Sequence, residues 1–318
     1  MSCGQLALNR LGLKVDNYFA CEIDKYAIQV TQKNFPNTIQ LGDVQFVTKE
    51  TLGSHKIDLI LGGSPCQGFS FAGQNLNFQD PRSALFFEFA RLVKEIEPKY
   101  FLLENVKMKK QSQDIISKYM GCEPIEINSA LVSAQNRRRL YWTNIPGVSQ
   151  PEDKGIMLKD IILSGSKCDM VVNVGKDIHK ENIDKSHCLL ARDYKGFQNQ
   201  PFTGGRIDEI KAGAYRARSY EKDGNRVNWK KSKPTQNLDI KKNKKSNSLT
   251  SVQKDNVVVK NNLYWRKLTP IECERLQTVP DNYTDCVSNT QRYKMLGNGW
   301  TIDVIAHILK GIKIIDKL

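Results

Sequence analysis

In the first 145 residues, short apolar runs alternate with stretches whose apolar positions recur at helical spacing. Tyr18–Cys21, Ile57–Leu61, Tyr100–Leu103 and Pro124–Ile127 have the length and composition of strands. Between them, Ile23–Lys33, Ser83–Glu97 and Gln111–Met120 carry an apolar face every three to four residues and read as helices. This alternation predicts an α/β fold with a parallel, doubly wound sheet that gathers its ligands at the carboxyl ends of the strands. From about Gly147 to Asn262 the periodicity fades while Gly, Asn, Lys and Ser rise, which predicts a second, smaller, loop-rich domain over 148–263. Regular character returns at Leu268–Leu276 and at Thr301–Ile315, the latter a closing helix. Residues 264–318 are therefore expected to rejoin a first domain of residues 1–147.

Composition narrows the class. The 318 residues are 40% hydrophobic and 26% charged, which excludes wholesale disorder and leaves room for a large core. No run approaches the roughly 18 apolar residues of a membrane span, and Met1-Ser2-Cys3-Gly4 lacks a basic-then-apolar leader pattern. Eight cysteines are scattered with no C-x-x-C pair, so a reducing cytoplasm with free thiols is expected, without a disulfide scaffold or a metal site. The net charge of +14 invites a polyanionic partner, nucleic acid first. Residues 211–260 alone hold 14 basic and 4 acidic side chains. The run Lys241-Lys242-Asn243-Lys244-Lys245 reads as a solvated linker, whereas the block as a whole, with Arg216 and Arg218 between Tyr215 and Tyr220, reads as a phosphate-tracking surface.

Candidate chemistry begins at Gly62-Gly63-Ser64-Pro65-Cys66-Gln67-Gly68-Phe69-Ser70, directly after the strand Ile57–Leu61. A cysteine on a glycine-rich loop at a strand's carboxyl end is placed to react. Pro65 fixes the backbone before it, and the glycines let a substrate approach. Small polar neighbours argue against an ordinary buried thiol, but the loop alone says only nucleophile. Glu104, in Leu102-Leu103-Glu104-Asn105-Val106, ends another strand and lies beside the Cys66 loop if the two strands are neighbours. By itself it could equally cap a helix. Gln135-Asn136-Arg137-Arg138-Arg139 is a dense cationic cluster that could be plain solvated charge.

Taken in order, P-C-Q, E-N-V and Q-x-R-x-R resemble motifs of the cytosine-5 DNA methyltransferases. Glu22 and Ile23 in Ala20-Cys21-Glu22-Ile23-Asp24, and Asp43 in Leu41-Gly42-Asp43-Val44, resemble the family's cofactor-side positions. Arg266–Pro270 through Arg275-Leu276-Gln277, and Leu296-Gly297-Asn298-Gly299-Trp300, resemble its closing motifs. The likeness covers residues 1–145 and 264–318. It implies a Rossmann-like sheet, S-adenosylmethionine as cofactor and duplex DNA as substrate, with a restriction endonuclease of the same target as a separately acting counterpart and a monomeric enzyme. Cys66 would add to carbon 6 of a cytosine swung out of the stack. Glu104 would hold nitrogen 3 and the amino group, and Arg139 the ring carbonyl, with Arg137 bracing the acid and the cysteine loop. The cofactor would be held by Gly4, Glu22, Ile23, Asp43, Pro65 and Asn298. DNA contacts would come from Gln67, Ser70, Arg192, Tyr194, Arg206, Arg216 and Arg218.

The family's first motif, an apolar strand leading into an F-x-G-x-G pattern, is matched only in its second half by Met1–Leu8, with Gly4 as the last glycine. The expectation is a sheet lacking its central first strand. An upstream start is expected rather than a decayed gene, because every later motif is intact. Rival readings are an RNA cytosine methyltransferase of similar architecture, an inactive DNA-binding relative, and, furthest behind, a redox-cysteine protein.

Overall fold

The computed structural model describes residues 1–63, 81–163, 170–171, 210–217, 236–240, 245–249, 257–260 and 264–315. The chain opens with α1 (Cys3–Arg10), β1 (Phe19–Ala20), α2 (Lys25–Asn34), β2 (Ile39–Gln40) and β3 (Leu59–Gly63). It continues through α3 (Pro81–Ile96), β4 (Tyr100–Val106), α4 (Lys110–Met120), β5 (Ile125–Asn128), β6 (Gln135–Asn136) and β7 (Arg138–Thr143). Then come α5 (Leu158–Ile161), β8 (Met170–Val171), β9 (Ile210–Ala217), β10 (Gln236–Ile240), β11 (Ser246–Asn247), β12 (Val257–Lys260) and β13 (Tyr264–Lys267). Helices α6 (Pro270–Leu276), α7 (Asn289–Asn298) and α8 (Ile302–Ile315) close it.

The central sheet has the order β3-β4-β7-β5. Strand β4 is apolar at consecutive positions because both of its faces are covered. Leu102 points into a core shared with α1 and α8, whereas Phe101 and Leu103 point into one shared with α3 and α4. Trp142 on β7 is fully buried, and its indole Nε1 donates to Ser117 Oγ on α4 at 3.0 Å, so the ring is buried without stranding its polar atom. Helix boundaries follow local chemistry. Asp24 caps α2 by accepting from the Tyr26 amide at 3.0 Å. Gly121 ends α4 at φ 69°, a left-handed turn that suits glycine.

Three features depart from the sequence reading. The sheet is not purely parallel: β3 and β4 run parallel, but β7 is antiparallel to both β4 and β5. A chain that leaves β5 and returns alongside it through a short connection must reverse direction. Helices α1 and α7 also lie where no helix was expected. The third departure is the antiparallel sheet β10-β9-β12-β13-β8, four of whose strands lie within the stretch where periodicity fades while β13 lies just beyond it. Parts of that stretch also join the first domain's core. Strand β11 pairs with β6, and Leu158, Ile161 and Leu249 pack with Leu268, Leu276 and Leu296. Lys245, expected to be solvated, instead donates to the Ala130 carbonyl.

Strands β1 and β2 form a separate parallel pair, and among the described residues no strand joins β1 to β3. A cavity of about 1100 Å³ occupies the space between them. Helix α1 bridges it by packing against α8. Gly4 lets α1 lie close against the strands, because a Cβ there would stand 2.5 Å from Leu61 Cδ1 and 2.8 Å from the Tyr18 hydroxyl. Among the described residues, no helix is long and apolar enough to cross a membrane.

Candidate active site

The carboxyl ends of β3 and β4 define the site. Their parallel register sets Gly63 opposite Glu104, so the acid stands beside the strand end from which residues 64–80 depart. The condition placed on Glu104 by the sequence, that its strand neighbour the one before Cys66, is met. Cys66, with Pro65, Gln67 and Ser70, lies outside the described residues. Arg139, on β7 across from Val106, pairs its Nε with Glu104 Oε1 at 3.0 Å. The two side chains are 14% and 11% exposed, so the pair sits at the edge of the protein interior where its charges are only partly screened.

Among the described residues, the hydrogen bonds of Arg137 go to main-chain carbonyls and not to Glu104, and the cysteine loop it was also expected to brace lies outside the described residues. It is 3% exposed, and its guanidinium donates to the carbonyls of Leu249 at 3.0 Å, Gly297 at 3.3 Å and Gly299 at 2.9 Å. Burial pulls its pKa down to about 10, which leaves it charged at neutral pH. Three main-chain carbonyls suit the planar donor fork of arginine. Gln135 is buried as well and bonds the Leu276 carbonyl and the Gln277 side chain. The cationic cluster therefore splits by position: Gln135 and Arg137 fasten the C-terminal segments, and Arg139 reaches Glu104.

That fastening brings in a residue the sequence reading did not single out. Trp300 follows the Gly299 carbonyl held by Arg137, and its Nε1 lies 2.9 Å from where a Cβ on Gly63 would stand. Glu104 Oε2 is 3.3 Å from the same point. Only glycine lets the indole, the acid and the end of β3 converge. The Leu296–Trp300 motif contains the indole but gives it no role, since the contact depends on the end of β3 meeting a residue 237 positions later.

A second group lines the cavity between β1 and β3. Glu22, Ile23 and Asp43 all border it, whereas Gly4 and Asn298 do not. Both acids act as local caps. Glu22 Oε1 accepts from the amides of Ile23 and Asp24, each at 2.9 Å, and Asp43 Oδ1 accepts from Gln45 at 3.0 Å. Ile23 is 74% exposed beside them. Two oriented carboxylates with an uncovered apolar side chain suit a nucleoside: the acids accept from hydroxyl and amino groups, and the alkyl face receives a ring. This group of acceptors and apolar surface thus fits an adenosine-bearing cofactor. Of the residues expected to contact DNA, Arg192, Tyr194, Arg206 and Arg218 lie outside the described residues. Arg216 is on β9, opposite Asn237 of β10.

Comparison with known proteins agrees with this geometry. A family model described as C-5 cytosine-specific DNA methylase matches residues 2–314. The type II methyltransferase M1.ScrFI of Lactococcus lactis subsp. cremoris is 31% identical over 96% of this chain and 74% of its own length. M.HhaI of Haemophilus parahaemolyticus is 27% identical over 97% of this chain and 90% of its own. Among solved structures, a DNA modification methyltransferase encoded within an E. coli prophage aligns with a TM-score of 0.61 at 20% identity, covering 99% of this chain and 97% of that one. A Spodoptera frugiperda DNMT2 variant aligns with a TM-score of 0.60 at 19% identity, over 98% and 96%.

Proposed function

The chain belongs to the C-5 cytosine-specific DNA methylase family, S-adenosylmethionine-dependent enzymes that act on DNA, and from that premise we propose the finer reading: it methylates carbon 5 of a cytosine swung out of a specific duplex sequence, through a covalent bond to Cys66. The observation that carries this is the register of Gly63 with Glu104, completed by the Arg139–Glu104 pair at 3.0 Å. It supports a site in which the acid and the cysteine loop address one ring.

Carbon 5 of cytosine is a weak nucleophile. Addition of the Cys66 thiolate to carbon 6 forms a carbon–sulfur bond and moves electron density onto carbon 5. Glu104 accepts from the exocyclic amino group and, as a carboxylic acid, gives its proton to nitrogen 3, so the negative charge that thiolate addition brings into the ring is neutralised. Arg139 serves the ring carbonyl and keeps Glu104 oriented. When bound, S-adenosylmethionine supplies a methyl group on a positively charged sulfur. Glu22 and Asp43 would hold its ribose and adenine amino group, and Ile23 the adenine face. Loss of the carbon-5 proton to solvent water then expels the Cys66 thiolate and restores the aromatic ring. Arg137 supports the site indirectly by fixing the segment that presents Trp300.

Residues 148–263 are assigned to target recognition, with Arg192, Tyr194 and Arg206 toward bases and Arg216 and Arg218 toward phosphates. Gln67 and Ser70 would contact DNA beside the target. The enzyme works as a monomer opposite a restriction endonuclease of the same target. A radiolabelled methyl assay on the Cys66→Ser variant should read no transfer while duplex binding persists; substantial residual transfer would remove Cys66 from the role. Bisulfite mapping of DNA from expressing cells should show one methylated sequence context, and a duplex substrate should outperform transfer RNA.

A further inference from the structure

Asp43 stands at the head of a short helical turn, Val44–Phe46, and spends its Oδ1 on the Gln45 amide, which leaves Oδ2 for a ligand's donor. No residue of that turn is buried, and Phe46 is 80% exposed, so packing contributes little to its direction. Its far end is held by Arg91 of α3. One guanidinium nitrogen, Nη2, donates to the Val47 carbonyl at 2.7 Å and reaches the Val44 carbonyl at 3.5 Å. The other two nitrogens bind acids one turn to either side on the same helix: Nε donates to Glu88 at 2.8 Å and Nη1 to Glu95 at 2.7 Å. Glu95 in turn accepts from the Lys49 amide at 2.7 Å. The two carboxylates thus aim a rigid, planar donor fork, and the carbonyls are what it grips. Two positions earlier on α3, Phe89 lies against β3, where a Cβ on Gly62 would stand 2.4 Å from its ring. Gly62 directly precedes the residue paired with Glu104. One helix therefore touches both the Asp43 turn and the strand end of the active site.

We propose that Arg91 is a positioning residue for the cofactor: by clasping the Val44 and Val47 carbonyls to α3 it sets the Asp43 carboxylate at a fixed reach from the end of β3, in place for the adenine amino group. The inference rests on the cofactor reading above, in which Asp43 meets that amino group. Arg91 does not line the cavity, whereas Asp43, Val44 and Val47 do. Its effect on a ligand therefore passes through Asp43 and falls on one contact of the purine. A lysine in its place keeps a cation and a donor but loses the fork, and so holds the turn less firmly.

The test compares two ligands by calorimetry on the whole chain: S-adenosylhomocysteine and its analogue lacking the purine amino group. The parent should prefer the first by about tenfold, the worth of one hydrogen bond to a charged group. Arg91→Met should lose that preference, and Arg91→Lys should keep part of it. Hydrogen exchange at the Gln45 and Lys49 amides should quicken in Arg91→Met. Glu95→Gln, a milder change in the same clasp, should lower the preference in the same direction and serves if Arg91→Met folds poorly. In methyl transfer, KM for S-adenosylmethionine should rise while kcat at saturation changes by less than about twofold. A preference that survives Arg91→Met, or an equal weakening of both ligands, would overturn the inference and leave Arg91 a plain support of the fold. A parent that binds both ligands alike, with Asp43→Asn unchanged from it, would instead take Asp43 off the adenine, and the inference with it.

Discussion

Arg137 and Arg139 stand two positions apart, and their partners make opposite demands. Arg139 neutralises one carboxylate, so Glu104→Gln removes charge from the site and leaves the fold alone; methyl transfer should fall by about 10²–10³, the usual cost of one transition-state partner, while the melting temperature moves little. Arg137 satisfies three carbonyls from a 3% exposed position, and Arg137→Met strands them, which should cost about 2–4 kcal/mol in a urea titration, at about 1 kcal/mol per hydrogen bond plus the desolvation left behind. Gly63→Ala drives a methyl against the Trp300 indole. Activity should drop, and Trp300→Phe should restore part of it; simple additivity of the two changes would reject the contact. The place of Glu104 beside the end of β3 could be read in advance because it follows from two apolar strands being neighbours. The role of Arg137 could not, because its partners are main-chain oxygens, which carry no residue identity.

Elements with a strong amphipathic rhythm were visible in the sequence, and those held by tertiary contacts were not. Helices α2, α3, α4, α6 and α8 lie close to their expected bounds. Helix α1 lacks a side-chain cap, since Ser2 sits at φ 54° with no capping bond. Helix α7 buries Arg292 with Met295 and Leu296, a mixed face that conceals the period. Arg292 is in fact paired with the fully buried Glu274, whose carboxylate also accepts from the Thr284 amide and hydroxyl. Helix α6 starts with a reciprocal cap: Thr269 Oγ1 accepts from the Glu272 amide at 3.2 Å, and Glu272 Oε2 accepts from the Thr269 amide at 2.8 Å. Thr269→Ala should therefore cost about 1 kcal/mol by denaturant titration. Arg275 of the same helix holds Asp281 through two hydrogen bonds and keeps that carboxyl below its ordinary range. A lowered folded-state pKa gives stability that is present above about pH 3.9 and lost as the pH falls through the folded value. Asp281→Asn should thus lower the urea midpoint at pH 7 and converge with the parent at low pH.

At the scale of the whole molecule, charge and connectivity were readable to different extents. The +14 excess is a property of composition, and its concentration in residues 211–260 needs no coordinates. Duplex affinity should fall steeply with salt, with a log–log slope of about −0.9 per phosphate contact. Replacing Arg216 and Arg218 with alanine should flatten that slope; an unchanged slope would take these arginines off the phosphate backbone. The antiparallel placement of β7 was not readable, because strand direction depends on how the chain closes on itself. The same holds for the five-stranded sheet of the recognition stretch, whose short segments find their neighbours only by pairing.

The packing of α1 against α8 has a consequence for synthesis. Arg10 is bound to Asp303, 293 positions later, and the Tyr283 hydroxyl donates to the Met1 carbonyl across 282. At about 5–20 residues per second, the amino-terminal helix is made roughly 15–60 s before its partner leaves the ribosome. Throughout that interval Ala7 and Leu8, both buried in the finished molecule, lack the part of their cover that α8 supplies. A ribosome stalled before codon 302 would hold a nascent chain open at that face, bound by holdase chaperones, and completing the final helix would release it.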